Sequence, residues 1–199
     1  MNLHPESHSQ AGQESFVLLM TKLKNFGTYL EIGAYHPTIN SNTYILESEF
    51  NWHGISIELD AGRVKYFNSK RINKCLQANA LRINYKKVLK KANFPNKFEY
   101  LQFDIDPAIN TFVTLLKFPL LKHKAFLITF EHDKYANNFN WIFQLLANLY
   151  LNILGYKRIV KNVSPHMDGY SDKPFEDWFI RVSYKDLGTY KELLNKGKF

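Results

Sequence analysis

Thr28-Tyr29-Leu30-Glu31-Ile32-Gly33-Ala34-Tyr35 is a short apolar run that closes on a glycine and a loop. Such a run fits a strand buried on both faces of a parallel sheet. Gly33 lets the backbone turn sharply and come close to a ligand. On the N-terminal side, Phe16, Leu19, Met20 and Leu23 fall at helical spacing, which predicts a helix over 13–25 that Gly27 breaks. On the other side a polar loop passes through Pro37 and Asn40. A helix is expected from Ser41 to Phe50, capped by Ser41 or Asn42. The run from Gly54 to Asp60 is the next strand, acidic at its carboxyl end. Two basic helices follow, over 61–73 and 84–91, with a strand at 75–78 between them. Strands are then expected at 98–103 and 125–130, and a helix at 109–117. An apolar helix at 141–154 ends at Gly155. Strands at 156–160 and 178–182 are joined by a polar loop, and a short helix starts near Asp186. Strands alternating with helices make βαβ units, hence a doubly wound α/β domain with a mostly parallel sheet and right-handed crossovers. In such sheets ligands bind at the carboxyl ends of the strands, where every polar motif of this chain falls.

The 199 residues fit one domain, 1–199, with residues 1–12 as a flexible or peripheral segment. That segment is polar and has no apolar h-region, so it is not read as a signal peptide. No stretch of 18 uncharged apolar residues predicts a membrane span, and the cytoplasm is the default location. The single cysteine, Cys75, cannot form an internal disulfide and reads as a small buried hydrophobe. Aromatics make up 16%, which suits either a bulky core or a cleft lined with rings. Of the formal +8 charge, residues 61–100 hold eleven Lys and Arg against Glu99 alone, net +10, so the rest nets −2. This segment is either a solvated helical face or a surface that attracts an anionic substrate or nucleic acid.

Three constellations carry chemistry. The first joins Glu31, Gly33, Ala34 and Tyr35 to Glu58, the acid that ends the second strand. A carboxylate there suits ribose hydroxyls. The G-x-G-x-x-G pattern of pyrophosphate binding is absent, since Tyr35 and Pro37 stand where small residues would be needed. That argues against NAD and FAD. A nucleoside without phosphates does not need those glycines, and Glu31 suits the cationic amino acid end of S-adenosylmethionine.

The second constellation is the series Ser9-Gln10-Ala11-Gly12-Gln13-Glu14, Leu30-Glu31-Ile32-Gly33-Ala34-Tyr35, Ser41-Asn42-Thr43-Tyr44, Leu46-Glu47 and Trp52-His53-Gly54-Ile55-Ser56-Ile57-Glu58. It resembles the FkbM-type S-adenosylmethionine-dependent O-methyltransferases, densely over the first third of the chain. The resemblance implies a class I Rossmann-like fold with an antiparallel last strand and the order 3-2-1-4-5-7-6. It implies that Glu31, Gly33 and Tyr35 line the methionine end of the cofactor and that Glu58 holds the ribose. Asn79-Ala80 stands where such folds often place Asp-Ala beside the adenine. Ala34, Asn42, Leu59 and Asp104 complete the expected cofactor contacts. His36-Pro37 departs from the Asp-Gly that the family often has there.

The third constellation is Asp104-Ile105-Asp106 with Glu131-His132-Asp133, at the ends of two neighbouring strands. Alternation puts Asp104 and Asp106 on one side. Asp104, Asp106, Glu131 and His132 resemble the acid set of metal-dependent O-methyltransferases and would hold Mg²⁺, which would acidify and orient a substrate hydroxyl. Asp104 and His132 are the catalytic candidates, His132 as a base in the absence of a metal. These acids would otherwise cap helices or pair with lysines. His166 and Asp168, in the loop before the last strand, are further candidates for metal or acceptor contacts. The expected activity is methyl transfer to a hydroxyl of a small polar acceptor such as a sugar. The competing readings are a nucleic-acid-directed methyltransferase or binding module using segment 61–100, and N-methylation.

Overall fold

The apolar runs become strands and the amphipathic stretches pack across them. The computed structural model describes residues 8–137, 139–165 and 173–196. In chain order the elements are α1 (Gln13–Met20), β1 (Thr28–Ile32), α2 (Tyr44–Ser48), β2 (His53–Glu58), α3 (Ala61–Lys70), β3 (Lys74–Gln77) and α4 (Tyr85–Lys91). They continue with β4 (Lys97–Phe103), α5 (Ala108–Lys117), β5 (Lys124–Glu131), α6 (Trp141–Ile153), β6 (Lys157–Val163), β7 (Glu176–Ile180) and α7 (Tyr184–Lys196). The seven strands form one sheet in the order β3-β2-β1-β4-β5-β7-β6. β7 runs antiparallel to both β5 and β6, and every other pairing is parallel. The expected fold and strand order are therefore observed.

Strand alternation divides the core in two. Leu30, Ile32, Leu101, Phe103, Ile128, Phe130 and Phe179 meet α4, α5 and α6 through Tyr85, Leu89, Leu115, Ala147 and Leu151. On the opposite face Tyr29, Tyr100, Leu127, Trp178 and Ile180 meet Phe16 and Met20 of α1. That second face also carries a polar row, Ser56, Glu31, Gln102, Thr129, in register across β2, β1, β4 and β5. All four are buried.

Helix ends follow the local chemistry. Asp60 caps α3 by accepting from the Arg63 N–H (2.7 Å), and Asn84 caps α4 by accepting from Lys87 (3.0 Å). Gly155, at φ +87°, ends α6 as expected. Two helices are shorter than expected. α1 stops at Met20 because Lys22 and Leu23 both turn left-handed (φ 56°) and the Leu23 N–H returns to the Leu18 carbonyl at 2.7 Å. α2 starts at Tyr44 because residues 37–43 are drawn into a loop by Arg71, described below. Of the N-terminal stretch read as peripheral, residues 1–7 lie outside the described residues, whereas Ala11 and Gly12 are buried. Among the described residues no helix is long and apolar enough to cross a membrane.

Candidate functional site

The order 3-2-1-4 puts the reversal of winding between β1 and β4, where an open α/β sheet has its crevice. Gly33 stands at that point. Its N–H donates to the Ile57 carbonyl (2.9 Å), and the Asp104 N–H donates to Ile32 (3.0 Å). Gly33 adopts φ +93°, and a Cβ there would lie 1.6 Å from the Asp104 carbonyl oxygen. The turn is therefore closed to any side chain.

Glu58 ends β2 beside this turn. Its carboxylate accepts from the N–H groups of Tyr35 (3.0 Å), Leu59 (2.8 Å) and Asp60 (2.9 Å). It fastens the loop after β1 to the turn after β2. Tyr35 is left-handed (φ 47°) and exposed, with the Arg63 guanidinium 4.4 Å from its ring centre. Ala34 is buried, and Leu59 is exposed. Asn79 accepts from the Leu81 N–H (2.9 Å), and Ala80 behind it is buried. These residues line the carboxyl ends of β1, β2 and β3.

Glu31 is buried beneath the turn. Its carboxylate accepts from Ser56 Oγ (2.6 Å) and Thr43 Oγ1 (3.1 Å). Burial raises it to about 7, with the Arg71 guanidinium pulling the other way. Asn42 and Gln102 are buried too, and their Asn42 Oδ1 and Gln102 Oε1 acceptors have no hydrogen-bond donor among the described residues.

Arg71 is the residue that sequence reasoning missed. It was one of eleven cations in a basic segment, but it is buried while the lysines of α3 and α4 are exposed. Its guanidinium donates to Glu47 Oε2 (2.8 Å), the Pro37 carbonyl (2.8 Å), Ser41 Oγ (3.3 Å), Tyr29 OH (3.1 Å) and the Thr43 carbonyl (3.0 Å). It thereby holds the loop that precedes α2 and presents Thr43 to Glu31. Its fork geometry sets it apart from the lysines, and no spacing in the sequence announces it. Glu14 supports the first turn of α2 from α1 by accepting from the Ile45 N–H (2.8 Å).

Across the crevice the acids at the ends of β4 and β5 do converge. Asp104 hydrogen-bonds Glu131 and accepts from Gln102 Nε2 (3.1 Å), and Asp106 hydrogen-bonds Asp133. Glu176, which the sequence did not single out, joins them from β7. It accepts from Gln13 Nε2 (3.4 Å) and from the Trp178 indole. Burial lifts Asp104 and Glu131, and their mutual repulsion lifts Glu131 further. Burial raises Asp133 to about 7 and Glu176 to about 8.

This arrangement corrects two expectations. His132 does not join the acids. It is fully buried, its Nδ1 accepts from the Lys134 N–H (3.2 Å), and its Nε2 lies 3.4 Å from Asp177 Oδ1 and 3.2 Å from Gln144. Arg158 (2.8 Å) and the Asn162 N–H (2.8 Å) complete that network. Burial would raise Asp177, but the bonds from His132, Asn162 and Arg158 outweigh it and hold the carboxyl low. With both nitrogens engaged and no exposed edge, His132 can serve neither as a base on a substrate nor as a metal ligand beside Asp104. The residues also do not fit Mg²⁺. Asp104 is hydrogen-bonded to Glu131 and Asp106 to Asp133, and among the described residues no group of three or more His, Cys, Asp or Glu is placed to hold a metal ion. His166 and Asp168 lie outside the described residues.

Raised carboxyls bind more protons in the folded chain than in the unfolded one. Glu14 and Glu31, lifted from an ordinary 4.5 to about 7, and Glu176, lifted to about 8, therefore stabilise the fold fully below about pH 4.5. That contribution is lost as the pH climbs through about 8. Asp177, held low, acts in the opposite sense and only in more acid solution. We expect the urea midpoint to be lower at pH 8 than at pH 5. A higher midpoint at pH 8 would contradict the buried placement of these acids.

No family model matches this chain, and neither does any curated protein sequence. Solved structures do. The N-methyltransferase NodS from Bradyrhizobium japonicum WM9 superposes with a TM-score of 0.54 at 10% identity, over 86% of this chain and 94% of that one. The O-methyltransferase from Bacillus cereus in complex with SAH gives 0.58 at 13% identity, over 90% and 84%. The METTL16 MTase domain gives 0.60 at 11% identity, over 85% and 65%. At these identities the likeness is one of fold: the chain has the Rossmann-like fold of class I methyltransferases.

Proposed function

We propose that this chain is an S-adenosylmethionine-dependent methyltransferase of the FkbM type, acting on a hydroxyl of a small polar acceptor such as a sugar. The observation that carries this is the cradle at the β1–β4 switch point. There Gly33, which has no Cβ to meet the Asp104 carbonyl, lets the ends of β1 and β4 come together, and Glu58 stands beside that turn at the end of β2. The cofactor fits this chemistry. Glu58, with Asn79 nearby, would hold the ribose and adenine. The unpaired acceptors of Asn42 and Gln102, with Glu31 behind the turn, suit the N–H donors of a cationic amino acid end. That two solved structures of this fold are complexes with SAH supports the same cofactor.

When bound, S-adenosylmethionine supplies a sulfonium methyl group. The acids at the ends of β4 and β5 then handle the acceptor. Asp104 accepts a hydrogen bond from Gln102 and is hydrogen-bonded to Glu131. A carboxylate raised by burial is a better base than one in water. Asp104 would take the proton of an acceptor hydroxyl whose oxygen receives that methyl group. Holding the hydroxyl in line is the larger task, since displacement at a methyl group depends on orientation.

Calorimetry with S-adenosylmethionine tests the reading. The wild type should bind, and Glu58→Ala should bind at least ~10-fold more weakly, since it loses a charge-assisted hydrogen bond. A wild type that does not bind would sink the central claim. The exposed lysines of α3 and α4 favour one second reading, in which the acceptor is a nucleic acid. Oligonucleotide affinity that falls steeply with salt would select it.

A further inference from the structure

Helix α6 (Trp141–Ile153) is apolar around most of its circumference, yet it buries only one side. Gln144, Ala147 and Leu151 face the core. Trp141, Ile142, Leu145, Leu146, Leu149 and Ile153 cover the opposite side and face solvent, Leu149 at 51% and Ile153 at 83% exposure. A helix that is apolar all round is normally buried on all sides. The positions 142, 145, 146, 149 and 153 follow helical spacing, so they form one continuous stripe.

We propose that this face is the interface of a homodimer, in which α6 packs against α6 of a second copy about a two-fold axis. Area supports it. With Phe139 just ahead of the helix, the stripe exposes on the order of 800 Å², about what one partner gives to a standard interface. Patches of that size on monomers are uncommon.

Charge supports it as well. The chain carries +8, so two copies repel unless they meet through a neutral surface. The 13 residues of α6 include no Asp, Glu, Lys or Arg. Of the basic segment 61–100, α3 and β3 lie toward the sheet edge opposite β6, against which α6 packs, whereas α4 lies on the α6 side of the sheet, where α5 is the helix in contact with α6. A dimer through α6 therefore keeps α3 and β3 of the two copies apart. A helix that lies on a membrane pairs its apolar face with Lys and Arg, which α6 lacks. A single stripe meeting its own copy satisfies the self-complementarity that two-fold symmetry demands.

Sedimentation velocity at micromolar concentration reads the result. The wild type should run at twice the 23.4 kDa chain mass, and Leu149→Lys at the mass of one chain with unchanged far-ultraviolet circular dichroism. If the lysine unfolds the chain, Leu149→Asn replaces it with the same expected mass. A monomeric wild type overturns the proposal, as does a Leu149→Lys or Leu149→Asn variant that stays dimeric. A monomeric wild type that co-sediments with anionic phospholipid vesicles would overturn it in favour of a membrane surface.

Discussion

Gly33→Ala is expected to cost about 3–5 kcal/mol of stability, read as a fall in the urea midpoint. Two causes add. The position has φ +93°, which strains any L side chain. The new methyl would also meet the Asp104 carbonyl oxygen at 1.6 Å. That oxygen is backbone, and its residue is bonded to β1 through the Asp104 N–H and the Ile32 carbonyl. Relief requires β1 and β4 to part at the centre of the sheet. Gly155 provides the control within the same chain. It has a similar φ of +87° but open space where a Cβ would go. Gly155→Ala should therefore cost only about 1 kcal/mol, the backbone part alone. Equal costs at the two positions would show that the close approach at Gly33 contributes nothing. Because the clash lies at the crevice, Gly33→Ala should also abolish S-adenosylmethionine binding in whatever fraction stays folded.

Arg71→Met should be about as severe, about 3–5 kcal/mol, because it leaves a buried partner charge uncompensated. The Glu47 side chain is only 7% exposed. The Pro37 and Thr43 carbonyls would lose their guanidinium donor, and so would the hydroxyls of Ser41 and Tyr29. Arg71→Lys should recover little, since an ammonium cannot reach acceptors on five residues arranged around a planar fork. A lysine variant within about 1 kcal/mol of wild type would show that the fork is dispensable. The two variants should also weaken S-adenosylmethionine binding, because the 37–43 loop that presents Thr43 to Glu31 would lose its anchor. Arg71 is also the main influence holding Glu31 down against burial, so its removal should drive that carboxyl higher still.

These two residues show what could be read from the sequence. Gly33 was legible because its role is local: an apolar run, a glycine and a loop describe a strand end without reference to the rest of the chain. The strand order was legible through family resemblance, and the acidic ends of β4 and β5 through their position after apolar runs. Arg71 was not legible, since its five partners span residues 29 to 47 and meet it only in the fold. His132 failed for a related reason. Its neighbours Glu131 and Asp133 do reach the acid cluster, yet the ring between them turns to Asp177, a partner 45 positions downstream. Glu176 was hidden because its strand is antiparallel, which brings the start of β7, not its end, to the crevice. The exposed side of α6 was also invisible, as an apolar helix predicts burial and says nothing of which surface provides it.

The Glu58 carboxylate has a consequence for affinity apart from any contact it makes. By taking three main-chain N–H donors from two loops, it removes their freedom before a ligand arrives. The ordering entropy is incurred when the chain folds and not when the complex forms, so binding at this crevice keeps more of its contact energy. The same acid that would touch a ribose thus also acts as rigidity: preorganisation written into the first two turns of the sheet.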